Sequence, residues 1–431
     1  MKTLSTRGVA PPVAISQAIA AGLAPDGGLY MPEQWPTFDP ADFDGDATLA
    51  QVAGRMLTPF FADDPIGERL ADICDDAFAV EPPLRAFGND GDFLLELFHG
   101  PTAAFKDYGA AFLAGCLGAL PQGDKPLTIV VATSGDTGAA VGAAFHRKPG
   151  FRVAILYPDG RVSPRQAHQL GCFGDNVRAF RVDGSFDDCQ RVVKSALSDP
   201  GFRAEVPLGS ANSISLGRLL PQMTYYAHAA LSHWREHSTP LSFVVPTGNL
   251  GNALACLLAR RTGLPIGQIV LASNANAVLP GFFAGGDYTP GPSIATLANA
   301  MDVGAPNNFE RLQWLYPDAA ELRTVLSAES VDDATIRATI IDAWKRHGEA
   351  ICPHTACAVH VLQHLREAGA TGDWAAVATA HPAKFPEVVE PLVGHAISLP
   401  PALAAMLDRP STAQPLAGSA AALQDALRGG W

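Results

Sequence analysis

The sequence predicts an α/β protein with largely parallel sheets, and three observations support it. Residues 127–131, Leu-Thr-Ile-Val-Val, form a continuous run rich in β-branched side chains, as for a strand buried on both faces. A turn of small residues and an Ala-rich helical pattern from residue 139 to about 145 follow directly. Strand and helix patterns then alternate from Lys125 to Thr379, which implies parallel sheets covered by helices on both sides.

The elements can be justified in order. Residues 1–95 form a mixed opening segment rich in Pro, Gly and Asp. Within it, Ile15-Ser16-Gln17-Ala18-Ile19 starts a short helical pattern that stops at Gly22. Leu23-Ala24-Pro25-Asp26-Gly27-Gly28-Leu29-Tyr30-Met31-Pro32-Glu33 places a glycine turn between two apolar pieces and reads as a surface hairpin. Strand signals recur at 153–157, 177–182, 241–245, 268–272 and 374–379. The helix after 153–157 opens on Ser163-Pro164-Arg165-Gln166, an N-cap serine, a first-turn proline and the glutamine of a capping box. Residues 281–330 are Gly/Pro-rich and irregular, either a long surface excursion or an insertion between strands. The chain divides into 1–95, a first α/β part at 96–235 and a second at 236–431.

Composition narrows the functional class. A length of 431 residues with 48% hydrophobic and 17% charged residues supports a large core and argues against extensive disorder. A formal charge of −13 argues against nucleic acid or an anionic membrane as partner, so any bound phosphate requires a local positive pocket. No run is apolar enough to span a bilayer, and Met1-Lys2-Thr3-Leu4-Ser5 leads into no signal-peptide core, so a cytoplasmic location is expected. The seven cysteines include no CxxC pair and no zinc set, which points to buried reduced thiols and no metal.

The chemistry centres on His99-Gly100-Pro101-Thr102-Ala103-Ala104-Phe105-Lys106-Asp107-Tyr108-Gly109. Lys106 falls in the first turn of a helix, where unpaired N–H groups disfavour an ammonium. The apolar Ala103, Ala104 and Phe105 disfavour charge further, which suits the free amine of Schiff-base chemistry with an aldehyde cofactor. The alternative is a surface lysine on an amphipathic helix. Pro246-Thr247-Gly248-Asn249-Leu250-Gly251-Asn252 joins a strand to a helix, and its N–H groups either converge on an anion or simply make a tight connection. It is not the dinucleotide G-x-G-x-x-G pattern.

Thr133-Ser134-Gly135-Asp136-Thr137-Gly138 is a second such loop, suited to a carboxylate or to ordinary helix capping. Ala211-Asn212-Ser213-Ile214-Ser215-Leu216-Gly217-Arg218 offers short polar groups and an arginine fit for phosphate, or else an exposed cap. Thr379, His381 and Lys384 follow the last strand; His381 and Lys384 either line the site or cap the strand end. The remaining histidines fall on apparent helix surfaces and carry no assignment.

Taken together, this wording resembles the threonine synthases, pyridoxal-phosphate enzymes of fold-type II. His-Gly-Pro-Thr-x-x-Phe-Lys-Asp resembles their cofactor-lysine motif, and residues 23–33 resemble their amino-terminal signature. Asn299-Ala300-Met301-Asp302-Val303, Pro306-Asn307-Asn308 and Pro353-His354-Thr355-Ala356 also resemble the family, which extends the likeness from about residue 7 to 395. The resemblance implies a tryptophan synthase β-like fold, two α/β domains with parallel-rich sheets and the cofactor in their cleft, after an N-terminal segment.

It implies pyridoxal 5'-phosphate held as a Schiff base on Lys106, its phosphate on Gly248, Asn249, Leu250, Gly251 and Asn252, and Thr379 at its pyridine nitrogen. Asp136 would lie beside the phenolic oxygen, where relatives often carry Asn. Ser134 and Thr137 would hold the substrate α-carboxylate, and Asn212, Ser213 and Arg218 the substrate phosphate. Ser215 and Gly217 stand where bacterial relatives often have Asn and Ser. The implied reaction turns O-phospho-L-homoserine and water into L-threonine and phosphate, the last step of threonine biosynthesis. The alternative is a lyase releasing 2-oxobutyrate from the same substrate; an intact Lys106, glycine loop and Arg218 argue against a catalytically silent binding relative. No nucleic-acid or membrane partner is implied, and the chain would act as a monomer or homodimer.

Overall fold

The computed structural model describes residues 1–429. Strands β1 (Lys2–Ser5), β2 (Val13–Ala14) and β3 (Tyr30–Pro32) form a small antiparallel sheet with β1 in the middle. Strands β4 (Leu84–Ala86) and β5 (Asp92–Glu96) begin a six-stranded sheet. The chain then crosses into a five-stranded sheet through β6 (Leu127–Ala132), β7 (Phe151–Pro158), β8 (Val177–Val182) and β9 (Leu208–Ser210). It returns to the first through β10 (Leu241–Pro246), β11 (Ile266–Ser273), β12 (Ser327–Ser330) and β13 (Asp373–Ala378), and β14 (Gln414–Leu416) closes the five-stranded sheet.

All pairings in the two large sheets are parallel except β4 with β5. The buried β6 run sets its register directly, with Ile129 opposite Val153 and Val131 opposite Ile155. The linear division at 95 and 235 is crossed by three strands, β4 and β5 in the sheet of the later residues and β14 in that of the earlier ones. Sheet neighbours are chosen by buried faces and register, which are blind to sequence distance.

Strand order locates the site. In the five-stranded sheet, order β14-β8-β7-β6-β9, the chain runs outward from β6 to β8 and then starts again on the other side of β6. In the six-stranded sheet, order β12-β11-β10-β13-β5-β4, it runs outward from β10 and later returns beside it as β13. Such reversals open crevices beyond the carboxyl ends of the strands. The loops after β6, β10 and β13 are therefore the three positioned to bind.

The helix Leu216–His237 is buried along most of its length and packs against Leu49–Phe61, Lys106–Ala119 and Gly251–Arg261, tying the N-terminal segment to both sheets. The capping box at Ser163 and Gln166 forms as the sequence predicts.

One reading needs correction, and of the two alternatives for 281–330 the insertion between strands is the one found. Residues 23–33 are not a surface hairpin: Tyr30, Met31 and Pro32 are buried, and β3 pairs with β1 at the chain start, because its apolar side chains need a core to cover them. The irregular stretch 281–330 holds the helices Phe309–Leu315 and Ala319–Val325 besides β12, and its loop at 299–308 reaches the cleft described next.

Candidate active site

The turn ahead of Lys106 is built from its own residues. The Asp107 carboxylate accepts hydrogen bonds from Thr102 N (2.9 Å) and Thr102 Oγ1 (2.6 Å). A Cβ on Gly100 would lie 2.5 Å from that carboxylate, so only glycine fits. Ala103 adopts a left-handed φ of 56°, a strained backbone for a residue with a Cβ. It persists because tertiary hydrogen bonds hold it: His381 N donates to the Ala103 carbonyl (3.0 Å) and Phe105 N to that of Thr379 (2.9 Å). Lys106 thus starts its helix from a turn pinned to the end of β13.

The Lys106 amine sits 4.9 Å from the centre of the Phe105 ring and 3.9 Å from Asp136 Oδ2. Burial pulls it down to about 8; Asp136 opposes this, and Lys384 and Arg218 add to it. Burial works against charge on Asp136, yet the Lys384 and Lys106 cations hold its carboxyl well below the usual carboxylate range. Asp136 is therefore an anion. Gln166 Nε2 donates to it at 2.9 Å, and Asn299 Nδ2 donates to Gln166 Oε1 at 2.9 Å, so a chain of amides links the loop after β6 to the far wall.

The loop after β10 is closely fitted. Leu250 takes a left-handed φ of 65°, and a Cβ on Gly248 would stand 2.7 Å from Met301 Cα. Gly251 meets nothing nearer than 3.5 Å and leaves room over the start of the helix Gly251–Arg261. Asn249 fastens its neighbours: its Nδ2 donates to Ser213 Oγ (2.7 Å), its Oδ1 accepts from Asn307 N, and its carbonyl accepts from Asn308 Nδ2 (2.9 Å). Asn252 Oδ1 accepts from the hydroxyls of Tyr225 and Tyr226.

Lys106, Ser134, Asp136, Thr137, Asn212, Ser213, Arg218, residues 248–252 and Thr379 all line one cleft. Thus every site residue selected from sequence meets in one place. His381 does not line it: its Nδ1 accepts from Ala383 N (3.2 Å), so it caps the turn Pro382–Lys384. Lys384 does not line it either; its amine reaches Asp136 from behind.

Sequence reasoning missed two groups. His354 is buried, lines the cleft and accepts from Ala300 N through Nε2 (3.1 Å), which corrects the placement of every unassigned histidine on a helix surface. Burial, joined by the Lys106 and Lys384 charges and opposed by Asp136, pushes its imidazole down to about 4, so it stays neutral. Its position just after the N-terminal proline of an apolar helix, Pro353–Glu367, was the available signal. Arg311, also buried, grips Tyr30 O, Ile214 O and Asn308 Oδ1; no local pattern marks it.

The residues fit pyridoxal phosphate. The cleft combines a lysine with a lowered pKa, a charge-free loop at a helix N-terminus, and buried polar atoms without protein partners: Asn212 Oδ1, Arg218 Nε and Asn252 Nδ2. Fold and site together define a fold-type II pyridoxal-phosphate enzyme, and a family model described as pyridoxal-phosphate dependent enzyme matches residues 85–383.

Models for the threonine synthase N terminus and the threonine synthase C-terminal region match residues 2–78 and 355–427. Threonine synthase of Escherichia coli (strain K12) is 39% identical over 414 residues, with 96% of each chain covered. The crystal structure of threonine synthase from Escherichia coli superposes with a TM-score of 0.91 at 37% identity, covering 99% of both chains. That of PLP-bound threonine synthase from Brucella melitensis does so with a TM-score of 0.89 at 35% identity, again covering 99% of both. The chain belongs to the threonine synthase family, and its activity is that of a pyridoxal-phosphate-dependent lyase. Among the described residues no helix is long and apolar enough to cross a membrane.

Proposed function

We propose that the substrate is O-phospho-L-homoserine, converted with water into L-threonine and phosphate. The observation that carries this reading is Arg218. Its guanidinium is buried in the cleft wall, its Nε lacks a partner, and among the described residues no carboxylate forms an ion pair with it. A buried cation left in that state is suited to an anionic ligand such as a phosphate.

When bound, pyridoxal phosphate supplies an electron sink for carbanion chemistry next to the substrate amine. Residues 248–252 would hold its phosphate through backbone N–H groups, with Thr379 toward its ring nitrogen and Asp136 toward its phenolic oxygen. Ser134 and Thr137 orient the substrate α-carboxylate, while Arg218 with Asn212 and Ser213 holds the phosphate that leaves. The Lys106 amine, near neutrality, takes and returns protons at substrate Cα and Cβ.

Product analysis with O-phospho-L-homoserine tests the reading. L-threonine and one phosphate per turnover are expected, and Lys106→Ala should lose turnover together with the cofactor's visible absorbance. Release of 2-oxobutyrate as the main product would transfer the chain to the alternative lyase.

A further inference from the structure

Two lysines face a single carboxylate. Asp136 Oδ1 lies 2.9 Å from Lys384 Nζ, and Asp136 Oδ2 lies 3.9 Å from Lys106 Nζ. Lys384 also donates to the Thr102 carbonyl at 2.8 Å. Its side chain is wholly buried and stands outside the cleft lining, and its ion pair with Asp136 is its contact with a residue of that lining. A buried ammonium needs a counter-charge and hydrogen-bond acceptors. Lys384 has both, whereas Lys106 has no hydrogen-bond acceptor among the described residues.

We infer that Lys384 is a positioning residue that takes up the one negative charge of Asp136, leaving Lys106 without a counter-ion and therefore available as the free amine. This rests on the reading of Lys106 as the cofactor lysine. The other groups facing Lys106 do not reverse the balance. Arg218, from the helix Leu216–His237, disfavours its charge; Asp107, on its own helix, favours it; and His354, across the cleft, is neutral. With Lys384 and Arg218 set against Asp136, burial decides the state of Lys106.

The test is a double-substitution cycle with Lys384→Met and Asp136→Asn. One readout is the pH midpoint for labelling Lys106 with an amine-reactive reagent in the full chain before cofactor is added, followed by peptide mass. The other is the pH midpoint of the bound cofactor's visible absorbance. Lys384→Met frees Asp136 to pair with Lys106 and should move both midpoints upward by about one pH unit or more. The Thr102 carbonyl keeps Gln169 Nε2 as a donor at 3.3 Å.

Asp136→Asn leaves Lys384 uncompensated and should move the midpoints downward. The double variant should return toward the parent, and Lys384→Arg should behave as the parent does. Shifts of the same sign, or no shift in either single variant, would overturn the inference and leave Lys384 a structural residue. Should Lys384→Met fail to fold, Lys384→Gln, which removes the charge but keeps a donor toward the Thr102 carbonyl, should give the same upward shift. Retention of cofactor absorbance by Lys106→Ala would instead refute the underlying reading of Lys106, whatever Lys384 does.

Discussion

Arg218 and Arg311 are both buried guanidiniums, and burial lowers both, to about 10 and about 9. Their hydrogen bonds separate them. Arg311 donates to Tyr30 O through Nε (3.3 Å) and Nη2 (3.0 Å), to Ile214 O (2.7 Å) and to Asn308 Oδ1 (2.6 Å). It binds the N-terminal sheet to two walls of the cleft, and each of its three nitrogens has a partner. Arg218 gives one bond to Ala211 O (2.6 Å), and its Nε remains without a partner. The difference teaches that burial alone does not distinguish a brace from a binder. Unfilled hydrogen-bonding capacity does.

The sharpest way to break this contrast is to remove the brace. Arg311→Met leaves the carbonyls of Tyr30 and Ile214 and Asn308 Oδ1 short of a donor. An unsatisfied buried polar group costs about 1–3 kcal/mol, so a loss of about 3 kcal/mol or more is expected, read as a lower urea unfolding midpoint. A parent-like midpoint would show that Arg311 braces nothing.

Arg218→Ala should do the reverse. Its cofactor absorbance should remain near the parent's and its unfolding midpoint should fall less than that of Arg311→Met, since only the Ala211 carbonyl loses a donor, while kcat/KM for O-phospho-L-homoserine falls. A charge-assisted hydrogen bond contributes about 1.5–3 kcal/mol. At about 1.4 kcal/mol per decade this is roughly a tenfold to hundredfold loss. Inhibition by phosphonate analogues should weaken in parallel, and binding of amino acids without phosphate should change little. Equal weakening of both ligand types would move Arg218 to the scaffold.

The smallest effects sharpen the same distinction in the glycine loop. Gly248→Ala pushes a methyl against the Met301 backbone, and overpacking of this kind costs about 1–3 kcal/mol of stability. Gly251→Ala meets only ordinary contacts, so stability should change by about 0.5 kcal/mol or less, with the loss seen in cofactor affinity by titration. Equal effects on folding from the two variants would show that the loop is scaffold throughout.

Much of the molecule was legible from local pattern. The β6 run, the capping box at Ser163 and the Lys106 turn are decided within a few residues by burial of both strand faces, by capping hydrogen bonds and by the Thr102–Asp107 contacts. The residues chosen for the site also meet in one cleft, since strand-to-helix loops carry their own backbone donors. Burial of β3 was not legible, because its partner β1 lies at the chain start and its cover comes from distant helices.

The sequence by itself determined which lysine opens a helix from a Gly-Pro turn and which loop is free of charge, because those properties depend on near neighbours. Only the tertiary structure decided which lysine faces Asp136 at 2.9 Å and which at 3.9 Å, and that His354 is held neutral at the cleft wall. Only it separated Arg311 as a brace from Arg218 as an open donor. The physical reason is that charge state follows from desolvation and from the distances between groups. Residues 106, 136, 354 and 384 come within reach of one another only after two sheets have closed on a common cleft.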